Sequence, residues 1–123
     1  MTQEERQLLL KDICARLPYG VICDMWFEGN ESDKITEVLK CGGLMRLMNS
    51  EFNFIAKPYL RPLSSMTEKE ANEWHETTFG QRWITFDNVE RCADWLVAHH
   101  FDYRGLIPMG LALESPEDMY KTE

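Results

Sequence analysis

The apolar positions of this chain recur with two periods, and each period predicts a kind of element. Near the start, Leu9, Leu10, Ile13, Cys14 and Leu17 fall on one stripe at helical spacing. Ahead of them "TQEE" sets Thr2 at an N-cap with Glu5 three residues on, a capping-box pattern in which the hydroxyl accepts from a free backbone N–H and the glutamate reaches back. "PYG" at 18–20 ends this helix, because neither proline nor glycine continues it comfortably. The same start signal stands in "TEKE" (Thr67, Glu70) and, in similar form, in "DNVE" (Asp87, Glu90), and predicts two further helices. The last of them, from about 88 to 100, carries Val89, Cys92, Ala93, Leu96 and His100 on one stripe, with Trp95 and His99 beside it.

Between residues 21 and 60 the period changes to two. Val21, Cys23, Met25 and Phe27 alternate with Ile22, Asp24, Trp26 and Glu28, which predicts a strand. "KITEVLK" is a second strand-like run. "GG" at 42–43 reads as a turn into "LMRLMN" as a third, and "FNFIAKPYL" is a fourth. Pro58 and Pro62 are expected to end strand pairing before the next helix. After the last helix "FDYRG" breaks the pattern, with Gly105 available for a left-handed turn, and "LIPMGLALE" is apolar enough for a final strand or a buried extended tail.

These elements predict one α+β domain over residues 1–123: an N-terminal helix, a four-stranded antiparallel meander or small SH3-like barrel, two further helices and an apolar C-terminal tail. Composition agrees with a folded globular chain, at 44% hydrophobic and 28% charged, and 123 residues suffice for one core. The apolar runs are too short to span a bilayer, and "MTQEERQLLLKD" lacks the basic-then-apolar order of a signal peptide, so the expected compartment is the cytoplasm. The cysteines at 14, 23, 41 and 92 have no zinc or redox spacing. Cys14 and Cys92 are expected to pack as small hydrophobes, while pairing of Cys23 with Cys41 stays open.

Charge narrows the function. Acids outnumber bases 21 to 13, a net charge of −8, which counts against a general nucleic-acid binder. The basic edge Lys57–Arg61 keeps a nucleic-acid reading as the alternative. There "KPYLRP" offers an aromatic ring and a planar cation, Tyr59 and Arg61, between two stiffening prolines, and both residue types suit an interaction surface. The other dense cluster is "HHFDYRG", with His99, His100, Asp102 and Arg104 as candidates. Adjacent helical residues point about a hundred degrees apart, so His99 and His100 do not form a natural metal pair, and helix capping accounts for them better. The chain has no GxSxG elbow, Walker lysine, GxGxxG or HExxH. No catalytic, cofactor or metal residue is therefore assigned, and a small enzyme centred on His99, His100, Asp102 and Arg104 ranks last. The leading expectation is a non-enzymatic protein-interaction module with an unidentified protein partner. Tyr59, Arg61, His99, Asp102 and Arg104 are its candidate contacts. Of Trp26, Trp74, Trp83 and Trp95, most are expected in the core.

"DICARLPYGV" at 12–21, "KPYLRPLSSMTEKE" at 57–70 and "HHFDYRGLIPMGLALESPEDMY" at 99–120 resemble a family of short uncharacterised proteins from Bacteroides-type gut bacteria and their phages. The resemblance runs nearly end to end and is loosest over 22–56. It implies a small intracellular accessory protein carried by bacterial genomes and mobile elements, and it carries over no catalytic residue.

Overall fold

The structure, a computed structural model, describes residues 2–79 and 86–120. Among these the elements run α1 (Gln3–Arg16), β1 (Ile22–Phe27), β2 (Ile35–Val38), α2 (Cys41–Met48), β3 (Phe54–Leu60), α3 (Glu68–Phe79), α4 (Phe86–Ala98) and β4 (Leu113–Glu114). The fold is α+β, with the four strands in one mixed sheet of order β2-β1-β3-β4. β1 pairs antiparallel with both β2 and β3, and β4 lies parallel to β3.

Two of the start signals are formed. The Glu5 N–H donates to Thr2 Oγ1 at 3.0 Å. At α3 the box is reciprocal: the Glu70 N–H donates to Thr67 Oγ1 at 3.1 Å and the Thr67 N–H to Glu70 Oε1 at 3.0 Å. The third signal rests on the side chain of Asp87, which lies outside the described residues, as does Trp83. Trp26, Trp74 and Trp95 are half-buried rather than central.

The antiparallel meander and the barrel are corrected. "LMRLMN" is not a third strand but most of α2, in which Leu44 and Leu47 turn inward at helical spacing. A short apolar run fits either period, and burial against the sheet decides it. The two glycines begin this helix instead of a hairpin. A Cβ on Gly43 would come within 2.6 Å of Leu39 Cδ1, so the glycine lets α2 close onto the chain that leaves β2. The fourth strand of the sheet comes instead from the tail, which makes the sheet mixed and leaves β2 as an edge.

Pro58 is a second correction, since it lies buried inside β3, opposite Cys23. Residues two apart in a strand turn their backbone groups to the same side. Tyr59 and Lys57 face β1, so the missing N–H of Pro58 falls on the other side. There the short β4 pairs only with Tyr59 and Leu60 and asks nothing of it.

α1, the inner face of β1 and β3, α2 and the tail share one core, in which Leu9, Ile13, Val21, Cys23, Ala56, Leu60 and Leu106 are almost fully enclosed. Cys14 does not join it; its thiol is exposed. Cys23 is buried and Cys41 exposed, both as free thiols, so the 23–41 pairing is not formed. Burial pushes the Cys23 thiol up to about 12, with Asp24 and Asp12 adding to the effect, and leaves it unreactive.

The tail is fastened by one hydroxyl. Where the β1–β3 ladder stops, Tyr120 Oη accepts from the Ile22 N–H at 2.9 Å and donates to the Tyr59 carbonyl at 2.7 Å. It stands in for the next rung. One step further Arg61 and Phe101 form a parallel bridge, through Arg61 N–H to the His100 carbonyl at 2.7 Å and Asp102 N–H to the Arg61 carbonyl at 2.8 Å. Removing the hydroxyl leaves two backbone groups without their partner. Tyr120→Phe is expected to cost about 1–3 kcal/mol, read as a lower urea midpoint at unchanged m-value.

Candidate interaction surface

The charged residues around "HHFDYRG" are brought to the same end of the fold, but their side chains serve different internal partners. Asp12 and Arg16, one helical turn apart on α1, are both fully buried. Arg16 donates Nε to Asp12 Oδ2 at 2.7 Å and Nη2 to the Phe101 carbonyl at 2.6 Å. Arg104 reaches the same carboxylate, Nη1 to Oδ1 at 2.6 Å, with its guanidinium 4.6 Å from the Tyr103 ring. Asp102 accepts the N–H groups of Leu106 and Ile107 at 2.8 and 2.9 Å, which ties the turn through Gly105 (φ 75°).

The two histidines separate. His99 stacks on Trp95 at 3.9 Å and its Nδ1 meets the Trp95 carbonyl at 2.8 Å, a cap on the last turn of α4. His100 ends the helix by another route. It adopts φ 66°, while its N–H reaches the Val97 carbonyl and the Phe101 N–H reaches the Leu96 carbonyl. That is a Schellman closure with histidine where glycine is favoured. Its ring lies flat on Tyr120, 3.6 Å between centroids.

In "KPYLRP", Arg61 forks onto Glu70 through Nη1–Oε2 at 2.7 Å and Nη2–Oε1 at 2.6 Å, and it lies 4.1 Å over the Phe101 ring. Tyr59 Oη donates to Asp24 Oδ2 at 2.9 Å, and Thr36 Oγ1 donates to the other carboxylate oxygen. Asp24 is therefore buried on the outer face of the sheet. Arg61, Glu70, His99, His100, Ser115, Tyr120 and their neighbours line a cleft of about 630 Å³. Asp102 and Arg104 do not reach it. Among the described residues no three His, Cys, Asp or Glu side chains gather as a metal site.

Apolar exposure concentrates elsewhere. Of the nine exposed large hydrophobics among the described residues, Phe27, Ile35, Val38, Met45, Met48 and Phe52 come from the one stretch that contains β2 and α2. All four β2 residues are exposed. Between β2 and α2 runs a groove of about 270 Å³ lined by Met25, Phe27, Ile35 and Phe54, with Glu37 and Arg46 among its charged side chains. Phe27 and Phe54 meet edge-on at 5.2 Å in its wall. Sequence reasoning did not select this surface, because reading residues 44–49 as a strand would have paired and covered it. It also missed Asp12, Arg16 and Tyr120. For the first two a signal was present, an acid and a base at i,i+4 beside the apolar stripe.

Acid should loosen this end of the fold in two stages. Burial first, then the positive Arg16, His99 and Arg61, holds His100 down from 6.5 to about 4. The unfolded chain takes up that proton first. The contribution of His100 is therefore complete above pH 6.5 and is lost as pH falls toward 4. Hydrogen bonds from Arg61, with help from Thr67 and against some burial, hold Glu70 at about 2 instead of 4.5, so its contribution is lost between pH 4.5 and 2. His100→Asn keeps a residue that tolerates positive φ. In thermal melts across pH 7 to 2.5 it is expected to abolish the upper stage and keep the lower.

No family model, no curated protein and no solved structure matches the chain.

Proposed function

We propose that this chain is a non-enzymatic protein-interaction module whose contact surface is the apolar region around β2 and α2. The observation that carries the reading is a contrast between two ends of the molecule. Arg61, Asp102 and Arg104 spend their hydrogen bonds inside the fold, whereas Ile35 lines an open groove at 50% exposure and Met45 of α2 is 70% exposed. Exposed apolar side chains gathered in one segment, with charged ones among them, suit association with another protein. The resemblance to short proteins of Bacteroides-type bacteria and phages supports an accessory role in such a genome. Cys14, Cys23 and Cys41 as free thiols suit a reducing cytoplasm.

A second reading has one observation in its favour. Trp26, Lys57 and Tyr59 share the outer face of the sheet, and Lys34 lies 5.7 Å from the Trp26 ring, an aromatic and basic combination that single-stranded nucleic acid could stack on. The net charge of −8 works against it. Tryptophan quenching by oligothymidylate that falls steeply with salt would favour this reading, and unquenched fluorescence at low salt would end it.

For the leading reading, a photo-cross-linking residue at Met45 in host cells is expected to give one discrete adduct. The adduct should disappear when Ile35→Asp is added, with stability changed by no more than about 0.5 kcal/mol. A folded, expressed protein that yields no adduct from this surface, at Met45 or at Val38, would overturn it.

A further inference from the structure

The open side of β2 has a defined hydrogen-bonding pattern. The Leu39 N–H donates to the Val21 carbonyl at 2.9 Å, and the register pairs Glu37 with Cys23 and Ile35 with Met25. Residues 35, 37 and 39 therefore turn their backbone groups toward β1. Thr36 and Val38 turn theirs outward, where an antiparallel strand would receive them. Lys34 also presents its carbonyl outward, while its N–H is held by the turn to the Glu31 carbonyl at 3.2 Å.

We infer that the occupant of this edge is a second copy of the same chain, paired β2 to β2 antiparallel about a two-fold axis through Thr36. This inference rests on the interaction-module reading and names its partner. Charge selects both the partner and the register. β2 is preceded by Glu31 and Asp33 and followed by Lys40. In an antiparallel pair the acidic entry of one copy lies beside the basic exit of the other, at both ends at once. With Thr36 opposite itself, residues 34–38 overlap completely and no like charges face each other. The partner's Lys40 then lies toward the helical turn that carries Glu31 and Asp33. Sliding one pair in one direction sets Glu37 against the partner's Glu37 and Lys34 against the partner's Lys40. Sliding the other way leaves two backbone hydrogen bonds, because the Lys34 N–H is held by the turn and residues 31–33 are not extended. The first shift is repulsive and the second gives up half of the ladder.

The same register gives four backbone hydrogen bonds. Two join Thr36 to the partner's Thr36, and one runs from each Val38 N–H to the Lys34 carbonyl across the axis. On the groove side, the partner's Glu37 comes opposite Ile35, on the face where Arg46 lines the wall. The contact is isologous and closed, and it joins the two sheets into one.

Sedimentation equilibrium of the full chain tests this. The mass is expected to rise from 14.5 kDa toward twice that value with concentration. The Thr36 and Val38 amides should gain exchange protection over the same range. Val38→Pro removes an outward N–H without touching the β1–β2 bonds, and Lys40→Glu reverses one end charge. Each should weaken association at least tenfold, and Lys40→Glu combined with Glu31→Lys and Asp33→Lys should restore it. A constant single-chain mass overturns the inference, as does a dimer indifferent to Val38→Pro with Thr36 unprotected. A cross-linker at Val38 in host cells separates the two failures. An adduct with a different protein overturns self-pairing and leaves the module reading standing, whereas no adduct at either Val38 or Met45 removes both.

Discussion

Everything at the C-terminal end of this fold depends on one buried carboxylate. Asp12 receives Arg16 from its own helix and Arg104 from the loop after α4, and Arg16 passes on to the Phe101 carbonyl. Ions removed from water cost several kcal/mol each, and the cost is offset only when charge and hydrogen bonds are both matched. Here Arg16 neutralises Asp12 within α1, the partly exposed Arg104 and the Phe101 carbonyl add hydrogen bonds, and Arg16 Nη1 is left as a buried donor without a partner among the described residues. The geometry is demanding. α1 and the 101–104 turn must stand at a fixed separation, because the buried Asp12–Arg16 pair takes its remaining hydrogen bonds from Arg104 and the Phe101 carbonyl.

That fixed separation is what lets the tail complete the sheet. Phe101 enters the ladder at Arg61, and Tyr120 enters one step below through its hydroxyl. Both insertions are backbone accounting, since the edge of β3 above Ile22 would otherwise face the interior unpaired. The unusual conformation of His100 follows from this arrangement. The chain must turn sharply out of α4 to reach the bridge, and the flat contact with Tyr120 favours the histidine ring where glycine would supply only freedom.

A consequence for function is that residue type misleads here. Histidines, aspartates and arginines crowded into one short stretch are the usual marks of a chemical site, yet their side chains close a helix, tie a turn and balance a buried acid. The surface left with unmet capacity is apolar and lies at the other end of the chain's middle segment, around an edge strand whose outward N–H and C=O groups have no partner among the described residues. Edge strands are commonly blunted by charge or by shortness. β2 is short, but its own charge, Glu37, lies on the groove face and the others flank the strand, where they select a register without blocking pairing.

The sequence by itself determined the elements whose causes lie within a few residues. Thr2 with Glu5 and Thr67 with Glu70 start helices because cap and orphan N–H are three positions apart. The alternation through Met25 makes β1 because its two faces meet different surroundings, and Gly105 takes its left-handed turn for lack of a Cβ. The tertiary structure alone decided whatever depends on a partner distant in the chain. "LMRLMN" is compatible with strand or helix until a sheet lies beneath Leu47. Pro58 would end a strand if its nitrogen faced β1, and it is tolerated because that nitrogen faces the other way. Asp12 and Arg16 read as a surface pair until Arg104, some ninety residues later, makes their burial affordable. Local rules set backbone preference, while burial and lateral hydrogen bonding are settled only by which segments arrive at the same place.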